Sequence, residues 1–262
     1  QLIGPRTKAI VVVHYAGVGC RMDVIAEIAR KAGVVLIEDN AHGLFGKQDG
    51  RWLGSFGAMA TQSFHETKVI TCGEGGALLL NDPKLVERAE IIREKGTDRS
   101  RFFRGEVDKY TWVDLGSSYL LSDLQAAFLW AQLEQWEDTQ RRRRAIWTRY
   151  EAALRAWAEC LGASLPFIPE DCEQAYHMFY LLMPSLAARQ ALIAHFKKHQ
   201  IIAVFHYLPL HRSPMGLRSG GAAAHCPVTD DVSDRIVRLP FYNDLSEGDQ
   251  QRVIEVALGF TT

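Results

Sequence analysis

The chain has 262 residues, 47% hydrophobic and 23% charged, enough to bury a large core and to form one big domain plus a smaller one. Its formal net charge of −1 leaves no electrostatic footprint for a phosphate backbone, so nucleic acid is not an expected partner. The five cysteines, Cys20, Cys72, Cys160, Cys172 and Cys226, are odd in number and scattered without a CxxC pair, which argues against a disulfide framework or zinc site and fits a reducing cytoplasm.

The first residues, "QLIGPRTK", lack the apolar stretch of a secretory signal. "KAIVVVHYAG" (8–17) and "VVLIEDN" (34–40) are β-branched apolar runs, and such continuous runs predict strands buried on both faces. Between them Asp23 opens "DVIAEIARKAG", with Val24, Ile25, Ile28 and Ala29 at helical spacing and Gly33 as the stop. This strand, helix, strand unit predicts a parallel sheet with a right-handed crossover. Further strands are predicted at 58–64 and 76–81, and Pro83 suits the first turn of a helix running to Gly96.

A long helical pattern from Ser122 to Trp157 reads as a link between domains. Its "RRRR" (141–144) spreads around the cylinder, because consecutive helical residues point about 100° apart, and so reads as solvated charge rather than a binding patch. Past Pro166 the units shorten: a strand at 176–183, a helix at 185–200, a strand at 201–207, a loop at 218–225 and a closing helix at 246–260. The expected organisation is an α/β chain with a parallel-rich large domain over 1–125, a linking helix over 126–157 and a small domain over 158–262. No run of about 18 apolar residues occurs, so no membrane span is predicted.

Ligands of parallel α/β sheets sit beyond the carboxyl ends of the strands. Asp39 and His42 follow one predicted strand, and Ser63 to Lys68 follow another, so an acid, an imidazole, a hydroxyl and an amine converge on one sheet edge. A Gly-rich turn after Lys68 permits close backbone approach. Taken singly, Asp39 could start a turn, His42 could be an interior histidine, Ser63 could bond local backbone and Lys68 could be a surface lysine. Together they suit pyridoxal 5′-phosphate, which needs a lysine for its Schiff base and a carboxylate for its pyridinium nitrogen. A desolvated site would lower the lysine pKa toward neutrality, freeing the amine to attack.

"VVLIEDNAHG", "SFHETKVITCGEGGALLLND" and "GSSYLLSDLQAA" resemble the DegT/DnrJ/EryC1/StrS sugar aminotransferases, pyridoxal phosphate enzymes of fold type I. The resemblance runs through essentially the whole chain, including "HMFY", "AVFHYLPLH" and "RLPFYN". The stretch from "ERAEIIREKG" to "LWAQLE" is similar to members that aminate dTDP-4-keto-6-deoxyglucose in enterobacterial common antigen synthesis. The likeness implies that Lys68 forms the Schiff base, Asp39 pairs with the pyridine nitrogen, Ser63 binds the cofactor phosphate and His42 lies beside the phenolic oxygen. His206, in "FHY", is implied as a substrate contact. Also implied are glutamate as amino donor, a homodimer with shared sites, a cytoplasmic location and no metal.

Two departures from the family pattern accompany this. Leu120 stands where many members carry an Asn that reaches the partner subunit's phosphate, leaving Ser117 or Ser118 as replacements. Members also carry a further N-terminal part before "AIVVVHYAG", with a phosphate-binding helix start and an aromatic that stacks on the ring. On this likeness the chain is expected to be a C-terminal part that binds cofactor weakly or not at all.

Overall fold

A computed structural model describes residues 2–261. The chain forms two compact units, one running up to Trp136 and including Glu170–Ala175, the other comprising Glu137–Pro169 and the residues from Tyr176 onward.

The first unit contains β1 (Ala9–Val13), α1 (Met22–Ala32), β2 (Val35–Asp39), β3 (Lys47–Gln48), β4 (Arg51–Trp52), β5 (Met59–Ser63) and β6 (Gly76–Leu80). Its main sheet has the order β1-β2-β5-β6, with β1, β2 and β5 parallel and β6 antiparallel to β5. Between β1 and β2, α1 lays Met22, Ile25, Ala26 and Ala29 on Val12 and Leu36 of the sheet. Gly33 ends the helix at φ 64°, a left-handed conformation that glycine adopts without strain.

The expectation of strands buried on both faces is corrected. Val11 and Val13 are 61% and 47% exposed, and Val35 is exposed beside them. The cause is one-sided cover: α1 covers the face of Val12 and Leu36, while register places Val11 and Val13 beside Ile37 and Asp39 on the other. Among the described residues, one face of the β-branched run is therefore covered and the other exposed.

A small antiparallel sheet joins β4, β3 and β7 (Cys172–Glu173). The single helix expected from Pro83 to Gly96 is a tight turn over Pro83–Leu85 followed by α2 (Val86–Arg93), since the Asp82 carboxylate caps the Lys84 N–H and closes that turn. Then come α3 (Arg99–Phe103) and α4 (Asp123–Leu133), the latter opened by a reciprocal cap between Ser122 and Gln125. The long predicted helix is therefore interrupted. It stops at Leu133 and resumes as α5 (Trp136–Cys160), with the Trp136 ring stacked on Phe45 at 4.7 Å.

The second unit packs Tyr150 and Leu154 of α5 against β8 (Tyr180–Leu182), α6 (Leu186–Lys198), β9 (Ile236–Arg238) and α9 (Glu247–Leu258), with Phe179, Phe196, Val237 and Ala257 fully buried. The shorter helices α7 (Pro214–Arg218) and α8 (Pro227–Arg235) precede β9. β8 and β9 pair antiparallel. The strand expected over 176–183 shrinks to Tyr180–Leu182, and that over 201–207 to a bridge between Val204 and Arg238.

One arginine explains the first contraction. Arg143, only 4% exposed, donates from Nε to the Tyr176 carbonyl (2.7 Å) and from Nη2 to that of His177 (2.6 Å), taking both out of any ladder. Its Nη1 donates to Asn243 Oδ1 at 2.7 Å and its guanidinium lies over the Phe241 ring. Burial lowers its pKa to about 10. The reading of "RRRR" as solvated charge therefore holds for Arg141, Arg142 and Arg144, which are exposed, and is corrected for Arg143.

Candidate active site

Asp39 is the last residue of β2 and stands in register with Val13 on one side and Thr61 on the other. Side chains alternate along a strand, so Ser63, two residues beyond Thr61 at the end of β5, shares the open face with Asp39. These are carboxyl ends of parallel strands, where α/β sheets hold ligands. The Asp39 carboxylate accepts the Ala41 N–H at 3.1 Å, and Ser63 Oγ accepts that of His65 at 3.4 Å.

Lys68 rides on a loop pinched at Phe64, whose N–H donates to the Gly75 carbonyl (2.8 Å) and whose carbonyl accepts from the Cys72 N–H (2.9 Å). Phe64, Val69, Ile70 and Cys72 are buried with Leu129 of α4, so the residues after Lys68 plug the loop into the core. Within the loop, the Lys68 N–H donates to the His65 carbonyl at 2.9 Å. The glycines that follow serve chain packing: a Cβ on Gly76 would lie 2.8 Å from the Gln62 carbonyl, and one on Gly75 2.5 Å from Cys72 Sγ. Two glutamines of α4 hold the loop's return. Gln132 Oε1 accepts the Thr71 N–H at 3.1 Å, and Gln125 Nε2 donates to the Glu74 carbonyl at 2.8 Å.

Burial pushes the half-buried Lys68 amine below its ordinary value, and the Asp39 carboxylate, near enough for the two charges to interact, partly opposes this. On the covered side of the sheet lies Glu38, fully buried. Burial alone would raise its carboxyl, but His14 and the N–H groups of Gly57, Gly54 and Phe56 outweigh that and hold it below the ordinary carboxylate range. His42 is anchored in the same unit, its Nδ1 accepting the Ala16 N–H at 3.3 Å and its ring 5.7 Å from that of Tyr15. His206 belongs to the second unit, its ring 4.9 Å from that of Tyr207. The first unit thus brings together Lys68, Asp39 and Ser63 at one end of a sheet.

Sequence reasoning passed over Glu38, Gln125 and Gln132. A charged residue inside the apolar run "VVLIED" signals a buried carboxylate in need of donors. The Ser-x-x-Gln spacing of "SDLQ" signals a capping glutamine. Gln132 carried no such signal.

The sequence pattern of the DegT/DnrJ/EryC1/StrS aminotransferase family matches residues 1–257. The chain belongs to this family. It is 31% identical over 261 residues to the spore coat polysaccharide biosynthesis protein SpsC of Bacillus subtilis (strain 168), covering 97% of this chain and 66% of that protein. It is 32% identical over 255 residues to a pleiotropic regulatory protein of Geobacillus stearothermophilus, covering 95% of this chain and 64% of the other. The crystal structure of the aminotransferase TlmJ from Streptoalloteichus hindustanus superposes with a TM-score of 0.86 at 29% identity, over 98% of this chain and 66% of that one. The chain therefore spans just under two thirds of the length of these relatives.

The family's fold, that of the pyridoxal phosphate-dependent aminotransferases, is the α/β architecture with the mixed, parallel-rich sheet seen in the first unit. Family members depend on pyridoxal 5′-phosphate, and the donor set fits that group. A partly desolvated primary amine, a carboxylate within its electrostatic reach and a hydroxyl at the next strand end are the functions its aldehyde, ring nitrogen and phosphate require. No helix among the described residues is long and apolar enough to cross a membrane.

Proposed function

We propose that the protein transfers the amino group of L-glutamate to the 4-keto group of dTDP-4-keto-6-deoxyglucose, giving dTDP-4-amino-4,6-dideoxygalactose and 2-oxoglutarate in the cytoplasm. The observation that carries the reaction type is the half-buried amine of Lys68, on the loop after β5, within electrostatic reach of the Asp39 carboxylate at the end of β2. The sugar rests on the likeness of the segment from Glu87 to Glu134 to enzymes of common antigen synthesis. A role in polysaccharide synthesis also stands in the name of the SpsC relative.

Pyridoxal 5′-phosphate, when bound, supplies an electron sink for a carbon that loses its proton. Lys68 Nζ is the group that would hold the aldehyde carbon and then, released, take the α-proton of glutamate and return it to the carbon on the other side of the transferred nitrogen. Its lowered pKa increases the share of amine free to do so at neutral pH. Asp39 would keep a proton on the ring nitrogen, Ser63 would donate its hydroxyl to the phosphate, and His42 would stand beside the phenolic oxygen. His206, in the second unit, would contact the sugar.

Joined to the N-terminal part that its longer relatives carry and incubated with pyridoxal 5′-phosphate, glutamate and the 4-keto sugar, the protein is expected to yield the amino sugar and an equal amount of 2-oxoglutarate, both read by mass spectrometry. Product from a 3-keto isomer alone rejects the substrate. Binding without turnover of any keto sugar instead selects a regulatory role, the reading that the name of the Geobacillus relative favours.

A homodimer is part of the same proposal. Phe103, Trp112, Tyr119, Leu124 and Trp130 are exposed on a stretch of 28 residues (103–130), with Leu124 at 85% and Trp112 at 74%. Exposed large apolar side chains support an interface on this stretch, and a second copy is the occupant that the family implies. Sedimentation velocity is expected to give twice the chain mass, and Trp112→Glu with Leu124→Glu to shift it to the monomer. A monomeric wild type at micromolar concentration rejects this part.

A further inference from the structure

We propose that Glu38 is a positioning residue for the pair formed by Asp39 and Lys68, acting through the turn at residues 53–57. The inference rests on the aminotransferase reading, since it concerns the two groups which that reading places in the chemistry. Asp39 faces the open side of the sheet, while its neighbours in sequence, Glu38 and Asn40, are fully buried.

Both neighbours are tied to one turn. Glu38 Oε2 accepts the Gly54 N–H at 2.7 Å, and Oε1 accepts those of Phe56 at 2.6 Å and Gly57 at 2.7 Å. Asn40 Nδ2 donates to the Leu53 carbonyl at 3.0 Å. The turn is secured in its own right by Asn81, just past β6, whose Nδ2 donates to the carbonyls of Gly54 (3.0 Å) and Gly57 (2.9 Å).

Two further bonds close the arrangement around the strand end. His14 Nε2 lies 2.9 Å from Glu38 Oε2, and the His14 N–H donates to the Asp39 carbonyl at 3.1 Å. Turning the Asp39 Cα–Cβ bond away from the open face requires β2 to roll, and rolling breaks several buried hydrogen bonds to a charged group at once. Replacing a buried ionised group by apolar packing of the same volume is often neutral in stability, so stability alone does not account for a carboxylate at this position.

The test titrates the Lys68 amine in the cofactor-free protein, by competitive acetylation read by mass spectrometry. The Asp39 carboxylate holds this amine up against burial, so an Asp39 turned away lets the pKa fall. Glu38→Asp keeps the charge but withdraws the carboxylate by one methylene. It is expected to lower the Lys68 pKa by about half a pH unit or more, and to have no further effect once Asp39 is Asn.

A Lys68 titration unchanged in Glu38→Asp overturns the proposal, as does a full additive shift in the Asp39→Asn background. Should Glu38→Asp fail to fold, Asn81→Ala loosens the same turn from its other side, and the same two outcomes decide. Neither cofactor nor sugar enters the measurement. Failure of the aminotransferase reading shows as missing product from the wild type, and failure of this inference as an amine that does not move.

Discussion

Changing Lys68 to alanine is expected to reduce glutamate-dependent amination of the keto sugar by about 10⁴-fold or more, because the proposed function makes one atom both nucleophile and proton carrier. Initial rates at saturating pyridoxal 5′-phosphate measure the loss. A second readout is independent of turnover: borohydride treatment of the wild type with cofactor should leave the pyridoxyl mass on the peptide bearing Lys68, and on no peptide of the variant. The fold should survive, since the loop is anchored by Phe64, Val69, Ile70 and Cys72 rather than by the lysine. Activity of Lys68→Ala within tenfold of wild type would move the chemistry to another amine.

The second large effect is expected at Asp39. Asp39→Asn keeps the shape of the side chain and its acceptance of the Ala41 N–H but removes the charge. We expect kcat to fall about 10²- to 10³-fold, the size typical of losing a group aimed at charge that develops during reaction. The same substitution takes away the one carboxylate that opposes the burial of Lys68, so the lysine pKa in the cofactor-free protein should drop further. Paired measurement of kcat and of the Lys68 titration checks both. A kcat preserved with the lysine pKa lowered would leave Asp39 an electrostatic neighbour of Lys68 but remove it from the chemistry.

Much of this site was legible in one dimension. The runs ending in Asp39 and Ser63 announce two strands, and the helical spacing from Val24 to Ala29 joins the first pair by a crossover. Parallel strands point their carboxyl ends the same way, so Asp39, Ser63 and Lys68 had to meet at one edge. Local chemistry of this kind is short-range and periodic, which is why it shows in sequence.

Other features depended on distant partners. The strand forecast over 176–183 failed because Arg143, more than thirty residues earlier, captures two of its carbonyls. The forecast of β1 as a doubly buried strand failed because covering a face requires a second element, and periodicity within the strand does not report whether one is present. The roles of Gln132 and Glu38 likewise belong to contacts across the fold, made by polar groups whose partners are backbone atoms without any residue-type signature.

From sequence alone came the candidates for the reacting groups and the sheet edge on which they gather, since chain direction and side-chain alternation follow from the residues themselves. The tertiary structure decided how they are held. It placed the buried Glu38 behind Asp39, plugged the Lys68 loop against α4, and set the balance between desolvation and a facing carboxylate at the amine. These quantities depend on three-dimensional distance and on exclusion of water, and neither is written in the order of residues.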